Sequence, residues 1–171
     1  TVRGVNESVY VRNFTDYRFL QVFFPTRGIL AYYARADGEI RSLPGADDPD
    51  HVHCNAVWSP DGKWLVVSKT NTTNDSDLFV IDMQAGGKPQ LITEHEGQAN
   101  FSAQDVSVDS SWLYYTTNVD GEFTTLKRYR LGEGTHEEVF ATDWDVVFTY
   151  FSRNGSYRVI GTNEDGYTVI R

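Results

Sequence analysis

Apolar and polar positions alternate over short runs of this chain, in Ser76–Met83, Thr124–Leu131 and Tyr167–Arg171, and a period of two predicts strands with one buried face. No stretch of eleven or more residues repeats apolar side chains at i, i+3 and i+4, so helix is not expected. Polar turns punctuate the strands, and one turn-and-strand unit occurs three times. It reads Trp58-Ser59-Pro60-Asp61-Gly62-Lys63-Trp64-Leu65-Val66-Val67, then Val106-Ser107-Val108-Asp109-Ser110-Ser111-Trp112-Leu113-Tyr114-Tyr115, then Phe151-Ser152-Arg153-Asn154-Gly155-Ser156-Tyr157-Arg158-Val159-Ile160. Each unit is a hairpin: a polar turn, in which Gly and Asn tolerate positive φ, reverses the chain between apolar strands. The aromatic after the turn (Trp64, Trp112, Tyr157) opens an inner strand, and its side chain is expected to wedge between neighbouring sheets.

Ser59, Ser107 and Ser152 are 48 and 45 residues apart. A fixed period in that range, with strands on both sides of every turn, marks the blades of a β-propeller. The expected fold is therefore all-β, about three and a half to four antiparallel blades in a single segment over residues 1–171. Blades fall near 8–45, 54–94, 101–142 and 144–171, the last without its outermost strand. The first contains strands at Phe19–Phe24 and Ile29–Arg35, joined by a degraded turn, Pro25-Thr26-Arg27-Gly28. Either Ser8–Asn13 returns to complete the last blade, or the chain is an arc of a larger propeller; the arc is the expectation, because a lone open edge and apolar flank are avoided.

A net charge of −9 and a pI near 4.8 argue against nucleic acid or an anionic membrane surface as partner. The dense basic stretch Lys127-Arg128-Tyr129-Arg130 is divided by strand alternation between two faces. No run is long enough to span a bilayer, and Thr1-Val2-Arg3-Gly4 does not read as a signal peptide. Cys54 is the single cysteine and forms no intrachain disulfide. Asn6, Asn13, Asn71, Asn74, Asn100 and Asn154 open Asn-Xaa-Ser/Thr sequons, which fit an extracytoplasmic or secreted glycoprotein, although Asn-rich turns generate sequons on conformational grounds alone.

From Ser59 onward the chain resembles the N-terminal β-propeller of the prolyl oligopeptidase family of serine peptidases. The resemblance rests on Ser59-Pro60-Asp61-Gly62-Lys63-Trp64, Gly121-Glu122-Phe123-Thr124-Thr125-Leu126-Lys127-Arg128-Tyr129, Asp143-Trp144-Asp145-Val146 and Thr162-Asn163-Glu164-Asp165-Gly166-Tyr167. The Ser-Pro-Asp-Gly hairpin is shared with TolB-like propellers, and Leu43-Pro44-Gly45-Ala46-Asp47-Asp48-Pro49, leading to Asn55-Ala56-Val57-Trp58, is closer to these. Structural blade positions on this reading are Ser59, Pro60, Asp61, Gly62, Trp64, Trp112, Trp144, Asp145, Asn163, Asp165 and Gly166. The resemblance implies a propeller that filters peptide substrate for a separate α/β-hydrolase domain and further blades. The alternative is a TolB-like module that binds a protein partner on a propeller face. No Gly is followed by Ser two residues later, so the Gly-Xaa-Ser-Xaa-Gly elbow is absent from this sequence and no catalytic residue is carried over.

No cofactor is expected. His51 and His53 lie on one side of an extended strand, with Cys54 opposite, and are the weak metal-ligand candidates; no third ligand is spaced to join them. Asp143, Asp145, Glu164 and Asp165 gather carboxylates at one end of the last blade, where a facing pair would suit glycoside hydrolysis and solitary turn acids would serve as local hydrogen-bond acceptors. The aromatic runs Tyr32-Tyr33, Tyr114-Tyr115 and Phe148-Thr149-Tyr150-Phe151 are expected in the core between blades.

Overall fold

A computed structural model describes the backbone of residues 10–13, 19–24, 28–34, 39–42 and 53–171 apart from Gly87, with side chains from Ala56 onward. Every regular element is a strand. β1 (Tyr10–Asn13), β2 (Phe19–Phe24), β3 (Gly28–Ala34) and β4 (Glu39–Ser42) form the first sheet. The second contains β5 (His53–Trp58), β6 (Trp64–Thr72), β7 (Asp75–Asp82) and β8 (Gln90–Leu91). β9 (Phe101–Val106), β10 (Trp112–Thr117), β11 (Thr125–Arg130) and β12 (His136–Phe140) form the third, and β13 (Asp145–Phe151), β14 (Arg158–Glu164) and β15 (Tyr167–Ile170) the fourth. Each sheet is an antiparallel meander in chain order; β5, β9 and β13, the first strands of the second, third and fourth sheets, lie side by side, the arrangement of propeller blades, and β5 meets the first sheet at β3. β1 pairs with β2, so it belongs to the first blade and does not complete the fourth. The degraded turn at 25–27 lies outside the described residues.

The three repeated turns share one hydrogen-bond scheme. The Ser59, Ser107 and Ser152 hydroxyls accept the N–H of Trp64, Trp112 and Tyr157 at 2.8, 2.9 and 3.0 Å. The same hydroxyls donate to Asp61, Asp109 and Asn154 at 2.6, 2.5 and 2.9 Å. Each carboxylate or carboxamide oxygen in turn accepts a backbone N–H two residues on, from Lys63, Ser111 or Ser156. The fourth turn position has φ of 72° at Gly62, 60° at Ser110 and 69° at Gly155, and Ser110 is the one that bears a side chain there. That side chain has a use: its Oγ accepts the N–H of Asp61 from the preceding blade at 3.1 Å.

Side-chain alternation distributes each sheet between two interfaces. Val66, Leu78 and Val80 of the second sheet pack with Phe101, Leu113, Tyr115, Tyr129 and Leu131 of the third, with Trp64 partly buried against them. On the opposite face of the third sheet, Tyr114 and Leu126 pack with Val146 and Ile160 of the fourth, joined by Trp112 and Phe151. Trp64 and Trp112 therefore lie between blades, each opening the second strand of its sheet. Tyr157 does not: it is 74% exposed, and Tyr150 of the expected core run is 50% exposed. Both face away from the third sheet, and no described sheet covers that side. β8 ends at Leu91, and beyond it the Thr93 hydroxyl accepts the Leu78 N–H at 2.9 Å where a strand carbonyl would have served.

Candidate ligand cleft between the third and fourth blades

A cleft of about 330 Å³ opens between the third and fourth sheets, at the end opposite the repeated turns. Ser102 and Gln104 of β9, Thr116 of β10 and the first residues of β13, Asp145 to Val147, line it, with Asn100 and Thr124 beside them. Two irregularities shape it. Pairing of β9 with β10 skips from Asp105 to Ala103, which leaves Gln104 as an extra residue. Pairing of β13 with β14 skips from Phe148 to Val146, which leaves Val147 extra and 45% exposed. A bulge bends its strand and re-aims the extra side chain, and here both bulged residues border the same cleft.

The Gln104 carboxamide nitrogen donates to Thr116 Oγ1 at 3.1 Å and to Ser102 Oγ at 3.2 Å, which fixes three polar side chains in one network. Asp145 Oδ1 accepts the Thr124 N–H at 2.9 Å, and the Val146 N–H donates to the Thr124 carbonyl at 2.9 Å. The start of β13 is thereby pinned to the third blade, while Oδ2 of Asp145 has no hydrogen-bond partner among the described residues. Nearby, Asp105 ties the two blades: its carboxylate accepts the N–H of Phe151 and of Val106, both at 2.8 Å. Burial pushes the Asp105 carboxyl above the ordinary aspartate range, against those two donors.

The lining contains hydroxyls, carboxamides and one carboxylate beside the apolar Val146 and Val147, with no histidine, cysteine, lysine or tyrosine. Such a surface can hydrogen-bond amides and amines. It pairs no nucleophile with a base.

At the same end, between the second and third blades, His95 makes two hydrogen bonds. Its Nδ1 lies 2.8 Å from the Thr93 carbonyl and its Nε2 3.0 Å from Asp75 Oδ1, so both ring nitrogens donate when the imidazole is charged. Asn71 holds the second oxygen of Asp75 and one of Asp77 at 3.0 and 2.8 Å. The Thr93 carbonyl, opposed by burial and reinforced by the two aspartates, raises the His95 pKa. His95 also packs against Phe101 of the third blade with ring centroids 5.0 Å apart.

The acids grouped by sequence lie at one end of the fourth sheet but hold different partners. Asp145 lines the cleft, with Asn163 opposite it in the ladder. Glu164 accepts the Thr162 hydroxyl at 2.7 Å and pairs with Arg171 at 2.5 Å, contacts that draw its pKa down. Asp165 and Gly166 form the positive-φ turn between β14 and β15, at 48° and 82°. Asp143 is exposed in the connection before β13, and Trp144 beside it is 39% exposed. These acids form no facing catalytic pair: Asp145 and Glu164 each serve separate local partners. Arg128 pairs with Glu137 and Arg130 with Glu133, on the Trp112 face, while Lys127 pairs with Asp120. His51 lies outside the described residues and His53 is described only as backbone, paired with Lys69. No group of three His, Cys, Asp or Glu suited to a metal occurs among the described residues. Asn71, Asn74, Asn100 and Asn154 are all exposed. Sequence reasoning missed Ser102, Gln104, Thr116 and Thr124, because the cleft depends on two bulges that no residue pattern announces.

No protein-family profile matches the chain, and neither does any curated protein. Solved structures do match, and they are β-propellers. A TolB from Agrobacterium tumefaciens aligns with a TM-score of 0.63 at 18% identity, over 88% of this chain and 52% of that one. A structure from work on two prolyl endopeptidases aligns with a TM-score of 0.64 at 18% identity, over 96% of this chain and 28% of that one. Tricorn protease aligns at 0.62 and 14% identity, over 95% and 16%. The chain spans about half or less of the length of these three proteins. It has the β-propeller fold of the kind found in TolB and the prolyl endopeptidases.

Proposed function

We propose that this chain is the non-catalytic propeller portion of a prolyl-oligopeptidase-like serine peptidase, and that it positions or admits peptide for a hydrolase domain. The observation that carries the reading is the chemistry of the cleft: fixed hydroxyl and carboxamide groups beside a half-engaged Asp145 carboxylate suit the amides and free amine of an extended peptide, and none of them performs chemistry on it. Backbone-directed hydrogen bonds tolerate many side chains, as a size filter requires. The second reading, a TolB-like module that binds a folded protein partner, is favoured by the larger share of the TolB chain that this one covers.

Isotope-edited NMR decides between them. Titration with a proline-containing peptide bearing a free amino terminus is expected to shift the amides of Ser102, Gln104 and Val147, and Asp145→Asn to weaken binding about tenfold, the loss of one charge-assisted hydrogen bond. No shift at the cleft at millimolar peptide refutes the peptide-positioning reading. Shifts produced by a folded partner and by no peptide favour the module.

A further inference from the structure

The fourth blade breaks the repeat at one position on the face that meets the third. Leu65, Leu113 and Arg158 each follow the aromatic that closes the repeated turn, so the three are equivalent. Both leucines are fully buried, and Leu113 packs against Val66 of the second sheet. Arg158 stands opposite Phe151 in the ladder, and its guanidinium stacks over the ring of Tyr114, across the seam, at 4.9 Å. A cation at a position where the repeat buries leucine loses hydration and calls for an acceptor. Among the described residues Arg158 has none: it forms no ion pair and no side-chain hydrogen bond. Asp105, in the same seam, is committed to the N–H groups of Phe151 and Val106.

Two neighbouring arginines show what such a group takes. Arg128 and Arg130 of β11 lie over Trp112 at 4.0 and 4.9 Å, and each also holds a carboxylate. Glu137 Oε2 is 2.8 Å from Arg128 Nε and 2.5 Å from its Nη2, and Glu133 Oε1 is 3.4 Å from Arg130 Nε. Stacking occupies the face of a guanidinium and leaves its N–H edge to an acceptor lying in its plane. Arg128 and Arg130 have a ring at the face and a glutamate at the edge, whereas Arg158 has the ring alone. Its platform is rigid, because Tyr114 is 5% exposed, packs edge-on against Phe151 at 5.1 Å and has its hydroxyl hydrogen-bonded to Arg128. Three guanidiniums against two glutamates leave a surplus of one positive charge in a chain whose net charge is −9.

We propose that Arg158 on the Tyr114 platform is a binding site for the carboxylate of a small molecule, held by two N–H groups of the guanidinium edge. The surplus charge matches a monoanion, and the overall negative charge of the chain rules out long-range attraction as the source of affinity, so recognition rests on the short-range fork. The site lies just inside the turn end, away from the cleft, and is independent of what the cleft binds.

The test is ligand-observed saturation-transfer NMR on the full-length protein, with sodium acetate titrated against sodium chloride at constant ionic strength. The expected result is binding of acetate in the millimolar range, weakened more than about tenfold by Arg158→Leu and severalfold by Arg158→Lys, which keeps the charge and loses the fork. Arg158→Leu installs the residue of the second and third blades, so its urea midpoint should be no lower than that of the wild type. Absence of acetate binding by the wild type, or binding that survives Arg158→Leu, overturns the proposal. Equal binding by Arg158→Lys overturns it too, because charge alone then suffices, as does phosphate that displaces acetate at a lower concentration than acetate itself requires. A null result with peptide at the cleft leaves all of these outcomes unaffected, so the two readings fail separately.

Discussion

The triplicated turn permits an internally controlled experiment: remove the same hydroxyl from three turns and compare the costs. Ser59, Ser107 and Ser152 make the same two hydrogen bonds, but the partner is an aspartate in the first two turns and Asn154 in the third. Burial differs in the same direction, with Ser59 and Ser107 2% and 9% exposed. A net hydrogen bond contributes about 1 kcal/mol between neutral groups and about 1.5–3 when one is charged, and a buried donor left unmatched costs about 1–3 more. Ser59→Ala and Ser107→Ala are therefore expected to lose about 3 kcal/mol, since each weakens a charge-assisted bond and strands the N–H of a partly buried Trp. Ser152→Ala is expected to lose about 1 kcal/mol, because its partner is neutral and water reaches the Tyr157 N–H. Urea melts followed by tryptophan fluorescence give the three values. The aspartates add a pH signature. Burial raises the Asp61 pKa, but the hydrogen bonds from Ser59, Lys63 and Ser110 outweigh it, and the net pKa is lowered; for Asp109 the Ser107 and Ser111 hydroxyls lead the lowering. A lowered folded-state pKa means a contribution that is present above the unfolded value and lost as pH falls through the folded one. The cost of Ser107→Ala must therefore shrink in acid, whereas that of Ser152→Ala stays constant. Equal costs at all three turns, or a Ser107 cost that does not change in acid, would refute the reasoning.

Trp64→Ala and Trp112→Ala are expected to lose about 3–5 kcal/mol each in the same melts, and Tyr157→Ala in the 171-residue chain less than about 1, because only the first two are wedged between blades. Gly155→Ala should cost more than about 2 kcal/mol, since it combines φ of 69° with a 2.6 Å clash against Val108, whereas Ser110→Gly should be nearly neutral: relief of the left-handed backbone offsets loss of the acceptor for Asp61. His95, with its pKa raised, stabilises the fold fully below its unfolded value and less as pH rises through the folded one, whereas His136, its pKa lowered by burial, acts in the opposite sense, so the His95 contribution is read as the difference between wild-type and His95→Gln urea midpoints, which should narrow from mildly acidic to mildly alkaline pH.

Most of the blade plan was legible in the residues, because each strand rests on a local signal. Alternation in Ser76–Met83 and the repeated Ser-Xaa-Asp/Asn turn need no knowledge of distant contacts, and β7 and the three hairpins follow from them. What was not legible depends on register and on neighbours. Tyr157 matches Trp64 and Trp112 in sequence yet is exposed, because position in the repeat specifies which way a side chain points and not what lies beyond it. Gln104 and Val147 carry no chemistry that stands out in a strand; they border the cleft because the ladder skips a pairing beside each. Asp145 was singled out as one of four acids, whereas its role follows from the Thr124 N–H, contributed by another blade.

These differences divide the molecule by end. At the turn end, the same hydroxyl and carboxylate or carboxamide scheme recurs in the second, third and fourth blades, φ is held in the left-handed region, and these turns contact one another. A surface built the same way each time has little with which to discriminate a ligand. At the opposite end the blades differ: the second carries the His95, Asp75 and Asn71 cluster, the third and fourth share the bulged cleft, and the fourth pairs Glu164 with Arg171. Recognition requires non-repeating chemistry on a rigid support, so the repeated end has the character of a scaffold, and the proposed peptide-positioning role falls to the irregular end. The half-buried Asp105 joins the two blades at that end, because its carboxylate holds β13 against β9 and thereby sets the separation of the cleft walls.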